Sequence, residues 1–305
     1  MNNKIKITFA ILISLLGFAA CGNKSEGGQA ENTSSINEVI LCGDDKVVIF
    51  DRTGSGEGQF TKIWEWTPES SSGLPEEFVK YFQTNDECKP IGEDRILITS
   101  SGGGVALVDR ETKNTLFYAY APNAHSAAYL PGDRIAVALS TAERGNALQL
   151  FDIDGSNEIL YSDSLYSGHG AVWLAERESL FALGYDQLRE YKLKNWETDQ
   201  PSLEMVNEWE IPDESGHDLF LTSDQRLLLS TTNSVWQFDI SSAQFSEFEP
   251  LKDVKHVKSV NWFPDTGELI YTKGEISWWT HHVYFEEPYD TLVVEDINLY
   301  KARLR

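Results

Sequence analysis

Cysteine, methionine and positive charge are all scarce in this chain of 305 residues. It holds three Cys and two Met, and 25 Lys and Arg stand against 48 Asp and Glu, a formal net charge of −23. Three cysteines are too few for a disulfide-built scaffold, and no Cys-x-x-Cys pair offers a structural zinc site. The shortage of basic residues argues against nucleic acid or an anionic membrane surface as partners, because their phosphates would be repelled over the whole protein. A polyanionic glycan would need a locally basic site, and the simplest role of the acidic excess is solubility. No apolar run approaches the roughly 20 residues that a bilayer-spanning helix needs. Nucleophile elbow, Walker loop and dinucleotide fingerprint are absent as well.

What is present at the N-terminus reads as an address. Lys4 and Lys6 precede an apolar stretch from Ile7 to Leu16, and Ala19 and Ala20 stand directly before Cys21, the layout of a secretory signal over residues 1–20. Phe18-Ala19-Ala20-Cys21 resembles the lipobox of bacterial lipoproteins. That resemblance implies that Cys21 is lipidated and anchors the mature chain in the cell envelope, at the outer membrane. Residues 21–36 are almost free of apolar side chains and cannot bury enough surface to order themselves, so they read as a tether. Lys24-Ser25-Glu26 resembles the surface-sorting signals of Bacteroidetes lipoproteins, and the chain as a whole resembles envelope propeller lipoproteins of that group.

From Asn37 onward one phrase recurs. A His, or once an Asp, precedes a short apolar run, and a second run follows that usually closes on Asp. Asp86 leads to Arg95–Thr99 and Val105–Asp109; His125 to Arg134–Ala138 and Leu148–Asp152; His169 to Leu180–Leu183 and Leu188–Tyr191. His217 leads to Leu227–Ser230 and Val235–Asp239, and His256 to Leu269–Thr272 and Ile276–Trp279. With an opening unit that ends at Asp51, the count is six. A repeat of this length built from strands and turns predicts an all-β, six-bladed β-propeller of four-stranded blades over residues 37–305. The strand-ending aspartates suit tight turns, where a carboxylate accepts backbone hydrogen bonds. The first unit starts late, with Glu38–Cys42 matching a second strand. The missing strand is expected from Ile297–Leu304, which would close the ring and remove two exposed edges. Cys42 and Cys88 then fall on adjacent blades, where pairing is possible and not required.

Gly168-His169, Gly216-His217, Phe151-Asp152 and Phe238-Asp239 resemble the Gly-His and aromatic-Asp elements of WD-repeat propellers. The resemblance implies that His217, Ser230, Asn233 and Trp236 form a hydrogen-bonded strut inside one blade. A second reading places the loop before each inner strand at the central channel, so that His125, His169, His217 and His256 converge with Asp86. Such a cluster has the chemistry to bind a divalent transition metal through His125, His169 and His217, or to carry protons.

Two functional classes follow. One is a monomeric, membrane-tethered binding propeller that holds a glycan, peptide or protein at a His-lined funnel, with Trp173, Tyr185 and Trp262 as stacking surfaces and Asp86, Arg144, His217 and His256 as contacts. The other is a lyase of uronic-acid glycans, with His125 or His169 as base, Tyr185 as acid and Arg144 or Arg189 neutralising the developing charge. The lyase needs a positive funnel, for which Arg134, Arg144, Arg189, Lys255 and Lys258 are the candidates.

Overall fold

The computed structural model describes residues 38–52 and 60–305. The expected signal over residues 1–20, Cys21 and the tether over 21–36 lie outside the described residues.

Six four-stranded antiparallel sheets make the six blades. Blade one pairs β24 (Leu299–Leu304), β1 (Glu38–Gly43), β2 (Lys46–Asp51) and β3 (Thr61–Trp66), in that order. Blade two is β4 (Asn85–Ile91), β5 (Arg95–Ser100), β6 (Gly104–Asp109) and β7 (Thr115–Tyr120); blade three is β8 (Ala124–Leu130), β9 (Arg134–Leu139), β10 (Ala147–Asp152) and β11 (Ile159–Ser164). Blade four is β12 (Gly170–Leu174), β13 (Ser179–Leu183), β14 (Gln187–Lys194) and β15 (Ser202–Glu210). Blade five is β16 (Asp218–Leu221), β17 (Arg226–Ser230), β18 (Val235–Asp239) and β19 (Gln244–Glu247), and blade six is β20 (Val257–Phe263), β21 (Glu268–Lys273), β22 (His282–Glu286) and β23 (Asp290–Val293).

The core is divided into six wedges, one at each junction of neighbouring blades. A middle strand therefore buries both faces, which is why its sequence is a continuous apolar run and not an alternation. In β5, Leu97 packs towards blade three while Ile96 and Ile98 pack towards blade one. The outermost strands alternate instead: along β7, Thr115, Phe117 and Ala119 are buried while Leu116 and Tyr120 are exposed.

The ring closes as the late first unit requires. β24 lies antiparallel to β1 with Val39 opposite Leu304, and Glu38 and Arg305 exchange backbone hydrogen bonds of 2.9 Å. The strand-ending aspartates do hold turns: Asp109 accepts from the Thr112 amide (2.8 Å), Asp152 from Asp154 (3.0 Å) and Asp239 from Ser241 and Ser242. Gly102–Gly104 forms the β5–β6 hairpin turn, where Gly103 has φ +103° and a Cβ would strike the Tyr120 ring.

One strand differs from expectation. Ile276–Trp279, expected as the third strand of blade six, is a tight hairpin tip with Ser277 in the left-handed region (φ 60°), and the third strand is β22. Cys42 on β1 and Cys88 on β4 are both free and buried. No helix among the described residues is long and apolar enough to cross a membrane.

Candidate functional site at the propeller axis

Each innermost strand begins beside the central channel, and its first residues approach the axis. In four blades the pairing register slips by one residue there: between Asn85 and Glu87, Ala124 and Ser126, Val257 and Ser259, and along β24 opposite Cys42 and Gly43. Each slip is a β-bulge, which leaves one extra residue and re-aims its side chain. The extra residues are Asp86, His125, Lys258 and Tyr300. His169 and His217 hold the corresponding places in blades four and five, their amides bonded to Leu183 O (2.9 Å) and Ser230 O (2.8 Å).

The result is a hexad with one side chain from each blade. Asp86 Oδ1 lies 3.9 Å from His125 Nε2. The His125 and His169 rings are 4.3 Å apart, and those of His169 and His217 5.4 Å. Lys258 Nζ donates to His217 Nε2 at 3.0 Å and stands 5.8 Å from the centre of the Tyr300 ring, which in turn meets His125 at 5.9 Å. Convergence of Asp86, His125, His169 and His217 matches the channel reading of the sequence. His256 does not join them: it is exposed on the turn before β20, its amide bonded to Thr232 O, and Lys258 occupies its place. Lys258 and Tyr300 are the members that the repeat did not reveal. The blade-six phrase is offset by two residues, and Tyr300 belongs to a strand that follows all the others.

Hydrogen bonding assigns the tautomers. His125 Nδ1 lies 3.1 Å from Asn123 O and His169 Nδ1 lies 2.8 Å from Ser167 O, so each Nδ1 carries the proton and each Nε2 keeps a lone pair. His217 is reversed: its Nε2 accepts from Lys258, and its Nδ1 is buried without a partner. Burial pushes His125 down to about 4 and His169 and His217 well below the usual imidazole value, so all three are neutral near pH 7. Burial raises Asp86 to about 7 despite its bond from Ser101, and burial followed by the Lys301 charge draws Lys258 down to about 8. Burial and then Asp86 raise Tyr300 well above the ordinary phenol value.

Below the hexad an ion network crosses the channel. Arg303 donates to Glu87 and to Asp218 with both ends of its guanidinium, at 2.6 to 2.8 Å. Lys301 Nζ lies 3.3 Å from Glu87 and 3.0 Å from Asp218, and Lys89 Nζ lies 3.7 Å from Glu87. Burial would raise Glu87 and Asp218, yet the attraction of Arg303 and Lys301 outweighs it and holds both carboxyls below their usual range.

The remaining expectations fare unevenly. The WD-type strut is not formed: His217 Nδ1, Ser230 Oγ and Trp236 Nε1 are buried without partners, and Asn233 bonds Asp213 instead. The ring turns His217 towards the axis and Lys258, away from its own blade. Among the described residues no group of three or more His, Cys, Asp or Glu is placed to hold an ion. Lys258 takes the lone pair that His217 would need.

Tyr185 stands at the rim of the His end with its ring 5.5 Å from Tyr166, and Arg144 is exposed on the β9–β10 loop. Arg189 lies in the third strand of its blade, tied to Glu208, Asp163 and Ser164 O, and does not reach the site. Trp262 packs on Phe248 between blades five and six. Trp173, four residues along β12 from the His end, lines the opposite mouth. Of the basic residues proposed for a positive funnel only Lys258 reaches the axis. Arg134 stacks on Trp196 and pairs with Asp152, while Lys255 is exposed. An exposed aromatic at the His mouth that sequence reasoning passed over is Trp278: on the β21–β22 hairpin tip, it is 61% exposed and sits over Lys258 with Nζ 5.3 Å from its ring.

The architecture has solved counterparts. A chain in a crystal structure of a nidogen/laminin complex superimposes with a TM-score of 0.63 over 88% of this chain and 98% of that one, at 10% identity, a likeness of fold alone. No curated protein matches the sequence. A family model does, over residues 3–305, and with the six-bladed ring and its axial hexad in view the chain belongs to the family of unknown function DUF6528.

Proposed function

We propose that this protein is a non-catalytic binding propeller that takes a neutral, hydroxyl-bearing ligand, the end of a glycan chain, at the His mouth. The observation that carries the reading is the pairing of acceptors and a donor under an exposed indole. His125 and His169 offer adjacent Nε2 lone pairs, Lys258 offers an ammonium, and Trp278 above it is open to stacking. A sugar hydroxyl both donates and accepts, so one edge of a pyranose suits such a set, and its apolar face suits the indole. The lyase alternative is weaker because Arg189 is committed to Glu208 and Asp163 and no arginine is placed at the hexad. The proposal includes the address: a signal over residues 1–20, lipid on Cys21, and a tether over 21–36 that holds the propeller at the envelope.

The test is a glycan array followed by calorimetry on hits, with Trp278→Ala and His125→Phe. Each variant is expected to weaken binding by about tenfold or more, as the loss of a stacking face or a buried acceptor does. Equal binding by both variants would overturn the site, selective capture of peptides would overturn the ligand class, and turnover of a uronate glycan would overturn the non-catalytic reading. Metabolic labelling with a palmitate analogue, abolished by Cys21→Ser, checks the anchor.

A further inference from the structure

The ion network divides the channel, and the mouth on its far side is a separate recess. It has a volume of about 300 Å³, at the lower end of small-ligand pockets, and all six blades contribute to its wall. Tyr129, Trp173, Phe220 and Leu221 give it an apolar, aromatic lining, and Lys89 and Arg303 form its base.

Two observations at that base point to an anion. The first is charge. Lys89, Lys301 and Arg303 face only two carboxylates, Glu87 and Asp218, so the network holds one more positive than negative charge. The surplus belongs to the side nearest the recess, since Lys301, Glu87 and Asp218 are fully enclosed and the Lys89 side chain is 16% exposed. A buried cation without its counterion is costly, and burial with the charges of Arg303 and Lys301 accordingly pulls Lys89 down to about 8 against the attraction of Glu87. The second is hydrogen bonding. Of the five N–H groups of Arg303, four are used on Glu87 and Asp218, which leaves one on Nη1. Lys89 Nζ is held by Ser126 Oγ and two backbone carbonyls, neutral acceptors that a carboxylate surpasses.

We propose that this recess binds a small carboxylic acid with an apolar body, a single aromatic ring or a short alkyl chain, its carboxylate at Lys89 and Arg303 and its body against Trp173 and Phe220. The bound anion makes the axial network neutral and uses the remaining guanidinium N–H. This site is independent of the glycan reading, because the network separates the two mouths.

The experiment is calorimetric titration of the purified protein with 3-phenylpropionate, indole-3-acetate and octanoate, each beside its primary amide. The acids are expected to bind at least about tenfold more tightly than the amides, the difference that a charge-assisted contact makes. Trp173→Ala should cost a similar factor while leaving cooperative melting intact, and Lys89→Met should erase the preference for acid over amide. Acid and amide binding alike, or neither binding, would overturn the proposal. So would acid binding that survives Trp173→Ala but is lost in His125→Phe, which would put the ligand at the other mouth. Glycan binding unchanged in Trp173→Ala is expected whichever way the acids behave.

Discussion

Arg303 joins Glu87 to Asp218, residues of blades two and five, which face each other across the ring. A single side chain of the closing strand thus ties opposite blades together through the axis. Removing it strips four charge-assisted hydrogen bonds from two buried carboxylates and leaves them to Lys301 and Lys89 alone, so Arg303→Met is expected to cost about 3–5 kcal/mol. Replacing the partners as well, in Glu87→Gln, Asp218→Asn, Arg303→Met, strands the Lys301 and Lys89 ammoniums and should cost more than the single change. Urea denaturation checks both; a single variant as stable as the parent would show that the network contributes nothing.

Closure itself has a sharper test. β24 supplies the innermost strand of blade one along with Tyr300, Lys301 and Arg303, so deletion of residues 296–305 removes a strand and three axial side chains together. The truncated protein is expected to lose cooperative melting. A sharp transition in the truncated protein, followed by circular dichroism, would contradict the closure.

Acid should loosen the ring, and the sign follows from the imidazoles. Burial holds His125 at about 4 and His169 and His217 well down, whereas in the unfolded chain they titrate near ~6.5. Between those values the unfolded state binds more protons, so their contribution is whole above about pH 6.5 and is lost as pH falls towards 4. Asp86, raised to about 7, works oppositely: its contribution is whole below the ordinary Asp value and fades as pH rises through 7. Three imidazoles outweigh one carboxyl, and the melting temperature is expected to drop below pH 6.5. His125→Gln should flatten that slope by roughly 1 kcal/mol per pH unit. Parallel pH profiles for parent and variant would refute the assignment.

Lys258 and His217 form a pair whose charge state can be read directly. Burial first and the Lys258 charge second depress His217. In Lys258→Met the His217 value should rise and its Nε2 should lose its donor. Imidazole ¹⁵N shifts across a pH titration measure this, and an unchanged His217 titration would sever the pair.

The blades were legible in the sequence because a middle strand buried on both faces is written as an uninterrupted apolar run, as in Ile96–Ile98 and Ile135–Leu139. The closing strand was legible because Glu38–Cys42 lacked a predecessor. The His row showed where the axis lay, yet it hid Lys258, which a two-residue offset moved away from the repeat, and it promoted His256. The ion network could not be read from local pattern at all: Arg303 meets residues 216 and 85 positions away, and its partners look like ordinary surface acids until the strands are wound into a ring. Trp173 was assigned to the wrong mouth because a strand of five residues carries the chain from one end of the channel to the other.

β24 follows every other strand in the sequence, yet it sits at the centre of the ring. Until residue 304 has left the ribosome, Glu87 and Asp218 have no Arg303 between them and β1 has no inner neighbour. The other twenty-three strands can pair locally as they emerge, but of the three cations of the axial network they carry only Lys89. A nascent product that stops before β24 therefore carries Glu87 and Asp218 with Lys89 as their one network cation and a β1 without its inner neighbour, an open state that proteases attack.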